Sequence, residues 1–327
     1  MANDRAEGTS SGNASGNPSA VLYIEQSYFD ILEDLNRQGF ADAKTGESAH
    51  LMQRVSQTHL APYLSLVKRV DSGRPTVQRT HDLLSFDRKY QAILFKYIGV
   101  VEAQMRAQYS HRMETAHGEY ALYDASLFLR RENYEKTLSF YQAEVQRKAR
   151  RSWAMRSLIE RSGGRLPIAS GVECVTLGTL SQLFANTADA RVTRKVAESF
   201  GCTKSELSSW LKTITDVGNV CAHFDSYAVR RQIPSNPLKI ADMPESDNKS
   251  TFYIVLLLLH LMEQKIPSND LSLIYTFIMR REIRELVESM RQRLPGMLPH
   301  LGFPNDWKAQ MDYAGGGQIV FAVKRTD

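Results

Sequence analysis

The sequence contains few cysteines and lacks a long uninterrupted run of apolar residues. Only three of its 327 residues are cysteines, and no two form a Cys-x-x-Cys pair, which argues against a disulfide framework or a cysteine-based zinc site. The most apolar run, 252–262, is interrupted by His260 and is too short for a membrane helix, which needs about 20 apolar residues. We therefore expect a cytoplasmic protein without a metal, another cofactor or a membrane partner, in which this run forms a buried helix.

Motifs of several enzyme classes are also missing. No His-Glu-x-x-His zinc motif occurs, and the glycines at 315–317 are not followed by the Lys-Ser/Thr of a phosphate-binding loop. Strand patterns do not alternate with helix patterns, which argues against a doubly wound α/β enzyme. The only segment with a strand pattern is 318–323. The first twenty residues are mostly Gly, Ser, Asn and Ala, and they predict a disordered tail rather than a signal peptide.

Helical periodicity dominates the rest of the chain, because apolar residues recur at spacings of three and four. Trp153 falls on the apolar side of one predicted helix, and Pro62 is expected to bend another. Thr203 and Glu206 have the spacing of a capping box. The predicted helices span 24–37, 48–67, 86–113, 133–161, 172–184, 191–200, 207–222, 251–265 and 270–294. The sequence therefore predicts an all-α bundle or helical array.

The positive charge of the chain is concentrated in one segment. The sequence has 41 Lys and Arg against 36 Asp and Glu, a formal net charge of +5. Segment 147–165 has seven basic residues and one acidic residue, Glu160, so the remainder of the chain is slightly acidic. Such a concentration is typical of a phosphate-binding surface, although a solvated helix face has the same composition. The candidate phosphate ligands are Arg147, Lys148, Arg150, Arg151 and Arg156.

Two polar pairs are candidates for chemistry or for supporting a site. Asn219 and His223 are four residues apart, so a helix places them on one side. There they line a cleft among apolar neighbours, or else His223 is satisfied within the helical core. Glu102 and Arg106 have the same spacing and predict an ion pair that supports a helix or a site. Glu173 lies in an apolar stretch, which predicts a buried and paired carboxylate.

Four short motifs occur in a fixed order between residues 24 and 231. They are Ala-His-Leu-Met-Gln-Arg-Val at 49–55 with Tyr63 downstream, Phe-Asp-Arg at 86–88 with Val-Glu-Ala-Gln-Met-Arg at 101–106, Leu-Pro-Ile at 166–168 with Leu-Gly-Thr-Leu-Ser at 177–181, and Trp-Leu at 210–211 with Asn-Val-Cys-Ala-His at 219–223. Together they resemble the Abi-like family of bacterial abortive-infection proteins, the AbiD/AbiF group. The last motif is the most specific.

This resemblance implies membership of the HEPN superfamily, whose all-helical domains include many metal-independent endoribonucleases. The superfamily motif is an arginine followed after four to six residues by a histidine, and two copies meet at a dimer interface. By this resemblance His223 is the catalytic histidine, Asn219 is its polar companion, and the chain forms a homodimer. The motif arginine falls on Gly218, which supplies no charge. Arg230 and Arg231 are the candidates to replace that charge and to contact RNA.

The chain is expected to have four regions and an RNA partner. The regions are a disordered tail at 1–20, an N-terminal helical region at 21–80, a HEPN-like core at 81–240, and a C-terminal helical extension and tail at 241–327. The resemblance implies an RNA-binding abortive-infection protein of phage defence, bound to a structured noncoding RNA. Two alternatives remain: a metal-independent endoribonuclease toxin that uses the degenerate motif from Gly218 to His223, and a non-catalytic helical protein-interaction module.

Overall fold

A computed structural model describes residues 26–71, 74–243, 245–263 and 270–314. These ranges contain α-helices and short 3₁₀ turns but no β-strand, which confirms the predicted all-α fold. The helices are α1 (Gln26–Arg37), α2 (Gly46–Arg54), α3 (Gln57–Val70), α4 (Val77–His117), α5 (Arg131–Arg151), α6 (Trp153–Arg161), α7 (Ile168–Gly171), α8 (Leu177–Asn186), α9 (Ala190–Ser199), α10 (Lys204–Ala222), α11 (Tyr253–Met262), α12 (Asp270–Arg293) and α13 (Trp307–Tyr313). The predicted tail at 1–20 and the predicted strand at 318–323 lie outside the described residues.

Three of the predicted helices are each divided by a hydroxyl residue that caps the next helix. In the helix predicted at 172–184 this residue is Thr176, which separates a 3₁₀ turn at Val172–Cys174 from α8. Ser56 has an extended backbone, and its side chain accepts a hydrogen bond from the His59 N–H at 3.3 Å, which starts α3. The single helix predicted at 48–67, with a bend at Pro62, is therefore wrong, because the break precedes the proline. Ser152 separates α5 from α6 in the same way.

The capping box predicted at the start of α10 is present. The Thr203 side chain accepts a hydrogen bond from the Glu206 N–H at 3.3 Å, and the Glu206 carboxylate accepts one from the Thr203 N–H at 2.8 Å. These two bonds satisfy backbone donors that a helix start leaves free. They fix the start of the helix whose other end carries His223.

The central helix of the molecule is α4. It has 41 residues, which corresponds to a length of about 60 Å, and it packs against α3, α9, α10, α11 and α12. The side chains that it buries completely include Tyr90, Leu94, Tyr97 and Val101, which recur at spacings of three and four. Since α4 begins at Val77, it crosses the boundary predicted at residue 80 and contacts helices from all three predicted helical regions.

The most apolar segment forms α11, which is buried as predicted. Every residue of α11 except His260 is buried. The His260 ring lies edge-on to the Trp210 ring of α10, with 5.2 Å between the ring centroids. Within the ranges given above, no helix is both long enough and apolar enough to cross a membrane.

Candidate nucleic-acid interface

α4 and α10 run antiparallel, and this arrangement sets the position of His223. Gly218 of α10 faces Ile98 of α4. Beyond the end of α10, the Tyr227 N–H reaches Asp87, which lies eleven residues before Ile98 in α4. Residues later in α10 therefore contact residues earlier in α4. His223 accordingly lies beside the N-terminal half of the central helix.

His223 is exposed to solvent at the end of α10. Its N–H donates to the Asn219 carbonyl oxygen at 3.2 Å, so both residues belong to the same solvent-facing side of the last turn. The predicted core position of His223 is wrong, because α4 covers the other side of α10, which carries Val217 and Cys221. That Asn219 and His223 line a cleft stays a prediction. The next residue, Phe224, has a φ of 51° and is 49% exposed, so an aromatic ring follows the histidine on the surface.

Gly218, the position of the motif arginine, faces the interior. A Cβ at this position would lie 3.6 Å from Ile98 Cγ2, an ordinary van der Waals distance. Positions 218 and 223 are about 140° apart around an α-helix, and only the second faces solvent. An arginine at 218 would therefore begin between α10 and α4 rather than beside His223.

Asp87 anchors the segment that follows His223. Its carboxylate is fully buried and accepts hydrogen bonds from the Tyr63 O–H at 2.6 Å and from the Tyr227 and Ala228 N–H groups, both at 2.9 Å. Burial raises the pKa of Asp87, and these donors offset part of that effect because they stabilise the charged form. The carboxylate therefore fixes α3, α4 and the turn after α10 to one another.

Arg230 and Arg231 follow this anchored segment. Arg231 has a φ of 63°, and its carbonyl oxygen accepts a hydrogen bond from the Thr251 N–H at 3.0 Å. It lines a cavity of about 300 Å³ together with the acidic Glu245. Arg230 is exposed. No contact in the described part of the chain joins either arginine to His223. That Arg230 or Arg231 supplies the charge of the missing motif arginine stays a prediction.

Glu102 and Arg106 form the predicted ion pair, with 2.5 Å between Arg106 Nη2 and Glu102 Oε1. Arg106 also donates to the Val175 carbonyl oxygen at 2.8 Å and lies 3.4 Å from the Glu173 carboxylate. Burial raises the pKa of Glu102, and the nearby Arg106 lowers it in part. Glu173 itself is exposed rather than buried, and it lies in the short 3₁₀ turn Val172–Cys174, directly before Val175.

The basic segment divides into engaged and unengaged side chains. Arg147 Nε donates to Glu144 Oε2 at 3.0 Å on α5, and the Lys148 ammonium donates to the Glu173 carbonyl oxygen. Arg161 donates to the Ser157 carbonyl oxygen, and the Arg165 guanidinium lies over the Tyr123 ring. The other three arginines are exposed and make no ion pair or side-chain hydrogen bond within the described ranges, and we call them the arginine cluster: Arg150, Arg151 and Arg156. This cluster spans the end of α5 and the start of α6.

Trp153 lies within the arginine cluster in the chain and is 79% exposed. The prediction that it belongs to the apolar side of a continuous helix is wrong, because the helix is interrupted at Ser152. Instead α6 packs on the core through residues spaced by three and four: Met155, Leu158 and Ile159. The sequence signal that could have identified an exposed position is the presence of arginines on both sides of the tryptophan.

The predicted site residues form two separate groups. Arg106 lies eight residues after Ile98, towards the C-terminal end of α4, and Lys148 contacts the same residue, Glu173, as Arg106 does. His223 lies five residues beyond Gly218 in the other direction along the antiparallel pair. At a rise of 1.5 Å per residue, this separates them by about 20 Å along the helix axes. The structure brings Lys148 of the basic segment next to the Glu102–Arg106 pair through Glu173 and leaves the histidine apart from both.

The two groups support different chemistry. The arginine cluster offers planar guanidinium groups, which bind phosphate oxygens in pairs. The exposed imidazole of His223 can accept or donate a proton. In the part of the chain that the structure describes, no cluster of three or more His, Cys, Asp or Glu side chains could hold a metal ion.

Comparison with known families identifies the chain. The model of the family described as Abi-like protein matches residues 51–226, which is more than half of the sequence. The matched segment runs from α2 to the turn after His223 and contains both groups of candidate residues. No curated protein and no solved structure was found to be similar. The chain therefore belongs to the Abi-like family, which connects it with abortive-infection defence against phage.

Proposed function

We propose that this Abi-like protein binds RNA through the arginine cluster and acts in phage defence as an RNA-bound protein. The observation that carries this proposal is the presence of three exposed arginines within seven residues that have no ion-pair partner in the described part. The three guanidinium groups are close together in the chain and carry the same charge, which the closely spaced phosphates of RNA can neutralise. Arg147 and Lys148 precede the cluster on α5, where Arg147 is paired with Glu144 and Lys148 donates to the Glu173 carbonyl oxygen.

Co-purification tests this proposal directly. The protein is isolated from bacteria, and the accompanying nucleic acid is sequenced before and after a high-salt wash. We expect a discrete, intact RNA that high salt releases, because contacts to phosphate weaken steeply with salt. A folded protein that carries no RNA and has no affinity for RNA at low salt would contradict the proposal.

A matched pair of variants separates the cluster from general positive charge. The arginine-cluster variant carries Arg150→Ala, Arg151→Ala and Arg156→Ala, and it should lose the RNA. The paired-arginine control removes three arginines that each face a glutamate one turn later, on α5, α9 and α12. Its substitutions are Arg131→Ala, Arg194→Ala and Arg281→Ala. Since both variants lose the same charge, retention of RNA by the control alone assigns the binding to the cluster.

An endoribonuclease is the second candidate, and the exposure of His223 favours it. In metal-independent cleavage the RNA 2′-oxygen bonds to the adjacent phosphorus, the bond to the 5′-oxygen breaks, and a cyclic 2′,3′-phosphate forms. A base takes the 2′-hydroxyl proton and an acid protonates the leaving oxygen. In a homodimer the second group would come from the other copy. Gly218 supplies no cation for the phosphorane, and loss of such a group typically lowers the rate by about 10²–10³.

His223→Ala tests this second candidate. The nuclease hypothesis predicts that the wild type cleaves RNA in the presence of EDTA and that the variant does not. His300→Ala removes another exposed histidine and should cleave as the wild type does. Unchanged cleavage by His223→Ala, or loss of wild-type cleavage in EDTA, rejects the nuclease hypothesis.

The helical interaction module is the remaining alternative. It predicts that reversal of charge at Arg147, Arg150 and Arg151 leaves phage defence unchanged. The RNA-binding proposal predicts that the same change abolishes defence, because the phosphates would then face glutamates. Plaque counts on cells that express each form distinguish the two.

A further inference from the structure

Trp153 presents an uncovered aromatic surface. Its side chain is 79% exposed, more than any other large apolar side chain in the described part. Among the described residues, no ring or cation lies against either face of its indole. The other two tryptophans of the chain, Trp210 and Trp307, are only 1% and 4% exposed. A single exposed apolar side chain is ordinary by itself, so its surroundings decide what it can bind.

Those surroundings are basic on both sides of a corner in the chain. Ser152 has an extended backbone, ends α5 and caps α6, so the chain changes direction immediately before Trp153. Arg150 and Arg151 belong to the last turn of α5. Arg156 follows Trp153 by three residues on α6, which places these two side chains on the same side of that helix. An open indole face and unpaired guanidinium groups therefore occur together.

We propose that Trp153 is the stacking platform for an unpaired nucleobase of RNA, while the arginine cluster binds the phosphates beside that base. This inference rests on the proposed RNA binding and adds the kind of RNA that is bound. Bases stack on exposed aromatic rings with little regard to sequence. The bases of a duplex already stack on one another, so a platform of this kind selects single-stranded segments, loops or ends.

A lipid surface is the competing ligand for exposed tryptophan and arginine. Binding in the membrane interface requires a helix with a continuous apolar face. The apolar face of α6, formed by Met155, Leu158 and Ile159, packs against the core. Trp153 is the only large apolar side chain that α6 exposes. One isolated aromatic ring among arginines suits a nucleobase and its phosphates better than a bilayer.

Tryptophan fluorescence provides a specific readout, because the other two tryptophans are buried. The full-length protein is titrated with an oligouridylate of about 12 nucleotides and with an RNA duplex of about 12 base pairs. We expect the single strand to quench the fluorescence. The anisotropy of dye-labelled RNA measures binding without Trp153, and by this measurement we expect Trp153→Ala to bind the single strand about 5- to 150-fold more weakly, with little change for the duplex. Trp153→Phe keeps an aromatic ring and should retain most of the affinity.

Phe29→Ala is the matched control, since Phe29 is an exposed aromatic residue on α1. It should bind both RNAs as the wild type does. Truncation of an exposed side chain should also leave the melting temperature of Trp153→Ala unchanged, so a loss of affinity cannot be attributed to unfolding.

The outcomes separate this inference from the proposed function. Unchanged single-strand affinity in Trp153→Ala, with affinity lost in the arginine-cluster variant, would overturn the stacking platform and leave RNA binding intact. Absence of wild-type binding to either RNA would overturn both. Tighter binding to vesicles of phosphatidylcholine and phosphatidylserine than to the oligouridylate, abolished by Trp153→Ala, would also overturn the platform.

Discussion

The buried carboxylate of Asp87 and the exposed arginine cluster differ in how their charge is compensated. Asp87 is fully buried, and donors from Tyr63, Tyr227 and Ala228 satisfy its oxygens. The arginine cluster lies at the corner between α5 and α6 and has no ion-pair partner in the described part. The first charge holds three elements of the fold together. The second contributes nothing comparable to the fold and is available to a ligand.

This difference predicts that mutations in the two regions separate stability from binding. A buried group that loses its partners destabilises the protein, because the partners stay desolvated. An exposed arginine without a partner can be removed at little cost in stability, although a bound phosphate would lose its contact.

The largest effect on stability is expected from Asp87→Ala. This change leaves one hydroxyl and two backbone N–H groups buried without an acceptor, and it should lower the free energy of unfolding by about 2–4 kcal/mol. Urea unfolding followed by circular dichroism measures the loss. Asp82→Ala on the same helix is the control, because Asp82 lies 3.4 Å from the exposed Arg293 and its removal should cost less than about 1 kcal/mol. Equal losses in the two variants would show that Asp87 is not an anchor.

Two buried glycines should respond in opposite directions to alanine. A Cβ at Gly171 would overlap the Tyr141 hydroxyl, so Gly171→Ala should displace that ring and cost about 1–3 kcal/mol. A Cβ at Gly218 fits against Ile98, so Gly218→Ala should stabilise α10 by about 0.5–1 kcal/mol. Thermal unfolding measures both changes. A loss of stability in Gly218→Ala would mean that the helix contact at this position requires glycine.

The smallest effect on stability is expected from the arginine-cluster variant. Because its three side chains have no ion-pair partner in the described part, its free energy of unfolding should stay within about 0.5 kcal/mol of the wild-type value. The urea midpoint is the measurement. A loss larger than about 1 kcal/mol would indicate that these arginines stabilise the fold, and the contrast with Asp87 would then fail.

The features that could be predicted from the sequence are those encoded by neighbouring residues. The buried helix α11 follows from an apolar run, and the capping box follows from the spacing of Thr203 and Glu206. The breaks at Ser56 and Ser152 were missed because a serine can lie within a helix or cap the next one. Whether the serine continues one helix or caps the next depends on how the following helix packs. The periodicity of apolar residues does not predict that packing.

The surroundings of the candidate residues depend on contacts between distant parts of the chain. The partners of Asp87 lie 24 and 140 residues away, and the carbonyl that engages Lys148 lies 25 residues away. The concentration of basic residues was visible in the sequence, but which of them are paired was not. The exposure of His223 was also hidden, because the apolar neighbours of this histidine are buried against α4 on only one side of α10.

Salt dependence of RNA affinity tests most directly the claim that the arginine cluster binds phosphates. The logarithm of the binding constant for a single-stranded RNA is measured against the logarithm of salt concentration for the wild type, the arginine-cluster variant and the paired-arginine control. Each neutralised phosphate contributes about 0.7 to the slope for a single strand, so the cluster variant should lose about 2 from the slope. The control should keep the wild-type slope. Equal slopes for all three proteins would contradict the account.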